Sequence, residues 1–249
     1  MKTNDLLVTC GLAVSLSLSA APSFSASCTY DPGDMVASGD VHYVNLWGCE
    51  RAFRDFFWDA YDFDKGDWDE GFGYDDSCNI EQPLARTFNA LYALHYSHAD
   101  PALSKGDREG PILRWGGSYA WSHIDELDAR CGDGTSYAYT RWGPIIDNYT
   151  NLYLPFFYEL SVPERAGTIL HEARHADGKG HDAGSNCPRG VSCDSSWDYN
   201  GANRWQVTWL WWYRAAGVNT TEALQIRARD RGNAILRGGF KTDPGFVIS

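Results

Sequence analysis

Apolar and polar positions along the chain predict five helical stretches and two short alternating ones. In GCERAFRDFFWDAYDF, residues 48–63, the apolar side chains Ala52, Phe53, Phe56, Phe57 and Ala60 fall at helical spacing and predict an amphipathic helix. A second helix is expected over Ile80–Ala99, where Pro83 is tolerated in the first turn. From residue 134 to 157 the texture changes. TSYAYTRW and NLYLPFFY are aromatic, partly alternating and bounded by Gly, Pro, Asn and Asp, which is the pattern of strands. SVPERAGTILHEARHADG, residues 161–178, then carries a full set of helix signals. Ser161 and Glu164 form a capping box, Pro163 sits in the first turn and Gly178 is a natural stop. Two more helices are expected over Ala202–Gly217 and Asn219–Gly239, the latter capped by Asn219 with Glu222 three residues on. Together these predict an α+β fold, rich in helix, with a small sheet immediately before the helix of residues 161–178.

Composition changes this picture first at the amino terminus. Lys2 is followed by an apolar, serine-rich run, residues 6–26, with small residues near its end, the layout of a secretory signal peptide. Residues 1–26 are therefore expected to be removed by cleavage between Ser25 and Cys28, leaving roughly 220 residues, a usual length for one domain. The alternative is a lipoprotein acylated at Cys28, but Ser25 stands where such a signal wants a leucine-like side chain. Cys10 falls inside the signal. The six cysteines beyond it, Cys28, Cys49, Cys78, Cys131, Cys187 and Cys193, point to disulfides in an oxidising, secreted or periplasmic location. Six cysteines allow about 15 pairings, and the one singled out is Cys187 with Cys193, closing a short loop. No later run reaches membrane length, so no membrane span is expected. A net charge of −12 argues against nucleic acid as a partner, and oligomeric state is not legible.

The candidate chemistry lies in HEARHADGKGH. At about 100° per residue, His171 and His175 share one helix face, one turn apart. Val162, Ala166, Ile169, Ala173 and Ala176 gather on the opposite face, while Gly167 and Thr168 fall beside the histidines, where small side chains would leave room above a metal. Two histidines at i and i+4 can ligate one zinc ion, and the intervening Glu172 can reach water on it. A catalytic zinc needs a third protein ligand, and His181, three residues after Gly178, is in reach.

This string resembles the extended zinc signature of the metzincin metallopeptidases, HExxHxxGxxH. The resemblance spans eleven residues. It implies a zincin-like metallopeptidase domain over residues 27–249, with His171, His175 and His181 as Zn²⁺ ligands and Glu172 as general base in hydrolysis of a protein or peptide substrate. One departure stands out: metzincins place a methionine turn beneath the metal, and this chain has only Met1 and Met35. The strand-to-helix order before the motif also resembles the aspzincin (deuterolysin-type) peptidases, where a later aspartate completes the site. Asp182, Asp194 and Asp198 therefore stay open beside His181 as third ligand, although the aspzincin G-T-x-D setting is absent.

The other features predict structure more than chemistry. The acidic loop of residues 62–76 offers oxygen ligands such as Asp62 and Asp64 for calcium, without the glycine and glutamate placement of an EF-hand. His42, His95, His98 and His123 lack a ligand pattern. Trp205, Trp209 and Trp212 form one stripe, expected to pack as core under the site. Asn148 and Asn219 begin N-x-Thr sequons. The substrate is expected along an edge strand within NLYLPFFY. Two other functions fit the same residues: an exported zinc-binding or interaction protein with a non-catalytic metal, and a metal-dependent cell-wall hydrolase.

Overall fold

The structure, a computed structural model, describes residues 49–143, 146–184, 187–188 and 192–249. The expected signal peptide, Cys28 and His42 lie outside them. Among the described residues the elements run α1 (Arg51–Ala60), α2 (Pro83–Tyr96), α3 (Ile112–His123), β1 (Glu126–Ala129), β2 (Ala138–Gly143), β3 (Ile146–Leu152), α4 (Leu154–Glu159), α5 (Val162–Ala176), α6 (Ala202–Ala216) and α7 (Glu222–Gly238). This is the expected α+β class, dominated by helix. No helix among the described residues is long and apolar enough to cross a membrane.

Helix α5 is the centre of the packing. Its apolar stripe of Val162, Ala166, Ile169, Leu170 and Ala173 is fully buried, against α2, α3 and α6. The capping box forms as expected: the backbone N–H and hydroxyl of Ser161 donate to the Glu164 carboxylate at 2.8 and 2.6 Å. At the other end Gly178 takes φ +76°, a left-handed conformation that only glycine adopts without strain, and its N–H donates to the His175 carbonyl at 2.8 Å. Gly167 and Thr168, expected to leave room above a metal, instead face α6. A Cβ at Gly167 would lie 3.3 Å from Gln206, and the Thr168 hydroxyl accepts from the Gln206 amide at 3.1 Å.

The sheet has the order β1-β3-β2, with β1 parallel and β2 antiparallel to β3. TSYAYTRW supplies β2 as expected, but NLYLPFFY is strand only as far as Leu152. Residues 154–159 form α4, with Pro155 in its first turn and Leu154, Phe156 and Phe157 buried. Proline has no N–H for a ladder and its fixed φ suits a helix start, so the chain leaves the sheet there. The expected edge strand is accordingly corrected: β3 is the middle strand, and β2 is the edge that faces α5.

Other expectations shift in detail. Helix α7 is capped by Thr221, whose hydroxyl accepts from the Leu224 N–H, and not by Asn219. Asn219 takes φ +54° and donates to the Tyr96 carbonyl. Of the tryptophan stripe, Trp209 is fully buried and Trp205 packs on Tyr119, but Trp212 is 42% exposed. His95 is a core residue bonded to the Tyr61 hydroxyl at 2.8 Å. His98 closes a local turn on Asp100, and His123 pairs with Asp177 at 3.4 Å. Cys187 and Cys193 are bonded to each other as expected, and Cys49 is bonded to Cys78.

Candidate metal centre

Helix α5 presents His171 and His175 from successive turns, and the chain leaving Gly178 brings His181 back toward them. The ring centroids lie 4.7 Å apart for His171 and His175, 4.7 Å for His175 and His181, and 5.2 Å for His171 and His181. One nitrogen from each ring falls within 4.8 Å of the other two. Three imidazoles facing a common centre are a donor set that suits a divalent transition metal, so these residues fit a metal ion. Two of them are oriented from behind: His175 Nδ1 meets the Lys179 carbonyl oxygen at 2.7 Å, and His181 Nδ1 meets Asp194 Oδ1 at 2.8 Å. Such contacts fix the tautomer and leave Nε2 for a metal. Among the described residues His171 Nδ1 is buried without a hydrogen bond, although Gln206 lies close enough to favour the protonated ring. Burial above all, then the positive potential of His175 and His181, holds the His171 imidazole well below its usual range and so neutral.

Glu172 lines the same cleft, with its side chain turned toward β2. It is 6% exposed, and Thr140 of β2 donates its hydroxyl to Glu172 Oε2 at 2.9 Å while sharing a second contact with Thr150 at 2.8 Å. Burial raises the Glu172 carboxyl above the usual carboxylate range; His175 and the Thr140 hydroxyl partly oppose this. The cleft has a volume of about 460 Å³ and is walled on the strand side by Tyr139, Thr140 and Trp142 of β2.

The other acidic residues weighed for the third position are not brought to the centre. Asp182 is exposed and accepts from the Ser195 N–H at 2.6 Å. Asp198 is exposed in a single helical turn. Asp194 is fully buried and stands behind His181. The acidic loop does not close on Asp62 and Asp64 either: Asp64 caps a turn through the Gly66 N–H. Its Asp67 instead meets Glu126 and Asp128 of β1, where Arg130 pairs with both Asp67 and Asp128. Thr140 had no signal in the sequence, since its contact to Glu172 spans 32 positions; Asp194 was visible as an acid near the motif, but not as a group beside His181 and away from the metal.

No family model matches the sequence, and neither a curated protein nor a solved structure matches it. The chemistry of the site therefore rests on its own geometry.

Proposed function

We propose that the protein is an exported, zinc-dependent metalloendopeptidase of zincin type. The observation that carries this reading is the convergence of His171, His175 and His181 in one cleft with a buried glutamate from the same helix turn. The disulfides and the lack of a spanning helix among the described residues are compatible with a protein outside the cytoplasm.

His171, His175 and His181 would hold the zinc ion, which when bound would supply a Lewis acid for the scissile carbonyl and lower the pKa of a water toward neutral. Glu172 takes the proton of the attacking water as the new C–O bond forms, then delivers it to the amine as the C–N bond breaks. Thr140 holds the Glu172 carboxylate at the strand side of the cleft. Among the described residues β2 has no strand on its outer side, and its backbone N–H and C=O groups there would let an extended peptide join the sheet as a further strand. Tyr139 and Trp142, 55% and 49% exposed, stand on that edge and favour apolar side chains near the scissile bond. In a peptide-library digest, W142A is expected to weaken that preference and to raise KM more than it lowers kcat.

Glu172→Gln is the deciding variant. One zinc per chain with hydrolysis abolished supports the peptidase. A wild-type chain that binds zinc yet cleaves neither protein nor cell-wall peptide refutes it in favour of a non-catalytic metal. Cleavage of cell-wall material alone moves the reading to the cell-wall hydrolase.

A further inference from the structure

The third histidine lies on a loop, outside the helix that fixes the other two, so something else has to hold its ring. Behind it stands Asp194, which has no exposure at all and whose Oδ1 is 2.8 Å from His181 Nδ1. The aspartate is itself anchored at every covalent and backbone point. Its N–H donates to the Gly239 carbonyl at 3.0 Å, and its carbonyl accepts from the Lys241 N–H at 2.8 Å, which stitches it to the segment after α7. The preceding residue, Cys193, is bonded to Cys187 and accepts at its carbonyl from the Ala183 N–H at 3.1 Å. The carboxylate also needs space that only glycine leaves: a Cβ at Gly201 would sit 2.6 Å from Oδ2 and 2.7 Å from Oδ1. Oδ2 is enclosed without a partner among the described residues. A buried carboxylate is costly unless something compensates it, and among the described residues its one side-chain hydrogen bond is to His181.

We propose that Asp194 is the positioning residue for the third metal ligand: it holds the His181 ring with the proton on Nδ1, so that Nε2 faces His171 and His175. This rests on the peptidase reading only in its ligand set. It assigns Asp194 a place one step behind the metal and excludes it as a ligand. A carboxylate on the far nitrogen both orients the ring and makes Nε2 a better donor.

Two measurements test this. The first reads the tautomer directly in the zinc-free wild-type chain, by two-bond ¹H–¹⁵N correlation of the histidine rings above pH 8. His181 is expected as the Nδ1–H tautomer, and a dominant Nε2–H form overturns the proposal without any variant. The second is zinc affinity by competition with a chromophoric chelator. Asp194→Ala is expected to weaken binding by about 10- to 100-fold. Wild-type affinity in a folded D194A overturns the proposal. His181→Ala separates the two readings. If H181A binds zinc as tightly as wild type, the ligand set itself is wrong; if H181A loses zinc and D194A does not, only the positioning role fails.

Discussion

Glu172 sits almost out of solvent beside two imidazoles, and among the described residues its carboxylate is met by Thr140 of a neighbouring strand, through the hydroxyl and the backbone. A hydrogen bond to a charged group is worth roughly 1.5–3 kcal/mol, so Thr140→Val should lower kcat/KM by about tenfold or more with zinc content unchanged, and Thr140→Ser should restore most of it. Steady-state kinetics with metal analysis on the same samples checks both. Gly201 is a second sensitive position. Gly201→Ala places a methyl group against the Asp194 carboxylate, an overpacking expected to cost about 1–3 kcal/mol in thermal or chemical unfolding and to weaken zinc binding with it. His171, His175 and Glu172 were legible in the sequence because helical spacing sets their geometry, and His181 was legible as a candidate just past Gly178, although its ring is held from outside the helix. Thr140 was not, since its contact to Glu172 spans 32 positions. Asp194 was visible as an acid near the motif, but spacing cannot tell a ligand from the group behind one.

At the scale of elements, α5 was the most readable because local signals and burial agree along its length. Ser161→Ala removes the hydroxyl from the capping box and should cost about 1 kcal/mol of stability, read as a shift in the denaturant midpoint with unchanged slope. Where local and tertiary signals diverge, the pattern failed. LPFFYE is aromatic enough for a strand, yet Pro155 and the burial of Phe156 and Phe157 against the helical core make it a turn and a half of helix. Ile112–His123 carried no predicted element because Gly116 and Gly117 interrupt its pattern. Both glycines serve close approach: a Cβ would lie 3.2 Å from Trp209 at the first and 2.6 Å from His95 at the second. Strand β1, four residues long and largely buried, has no period to read; it exists through its pairing with β3.

For the molecule as a whole, the α+β class follows from the order of helical and alternating segments, whereas the cleft depends on which strand lies at the edge, a matter of pairing that no segment records. The core also sets a pH limit. Burial holds His95 down at about 3 against an ordinary 6.5, so the folded chain binds fewer protons than the unfolded one between those values. Its contribution to stability is full above the unfolded value and is lost as pH falls toward 3. The expected slope from this residue is about 1.4 kcal/mol per pH unit. Chemical unfolding between pH 7 and 4 should show it, and His95→Gln, which can still bond the Tyr61 hydroxyl, should flatten it.

The bond between Cys187 and Cys193 has a consequence in time. It ties down the backbone next to Asp194, and through Asp194 the ring of His181. With that bond reduced the chain lacks the tie, so the reduced chain is expected to take up zinc more weakly than the oxidised one. Zinc uptake by the reduced chain, followed as the bond is allowed to form, should rise with oxidation.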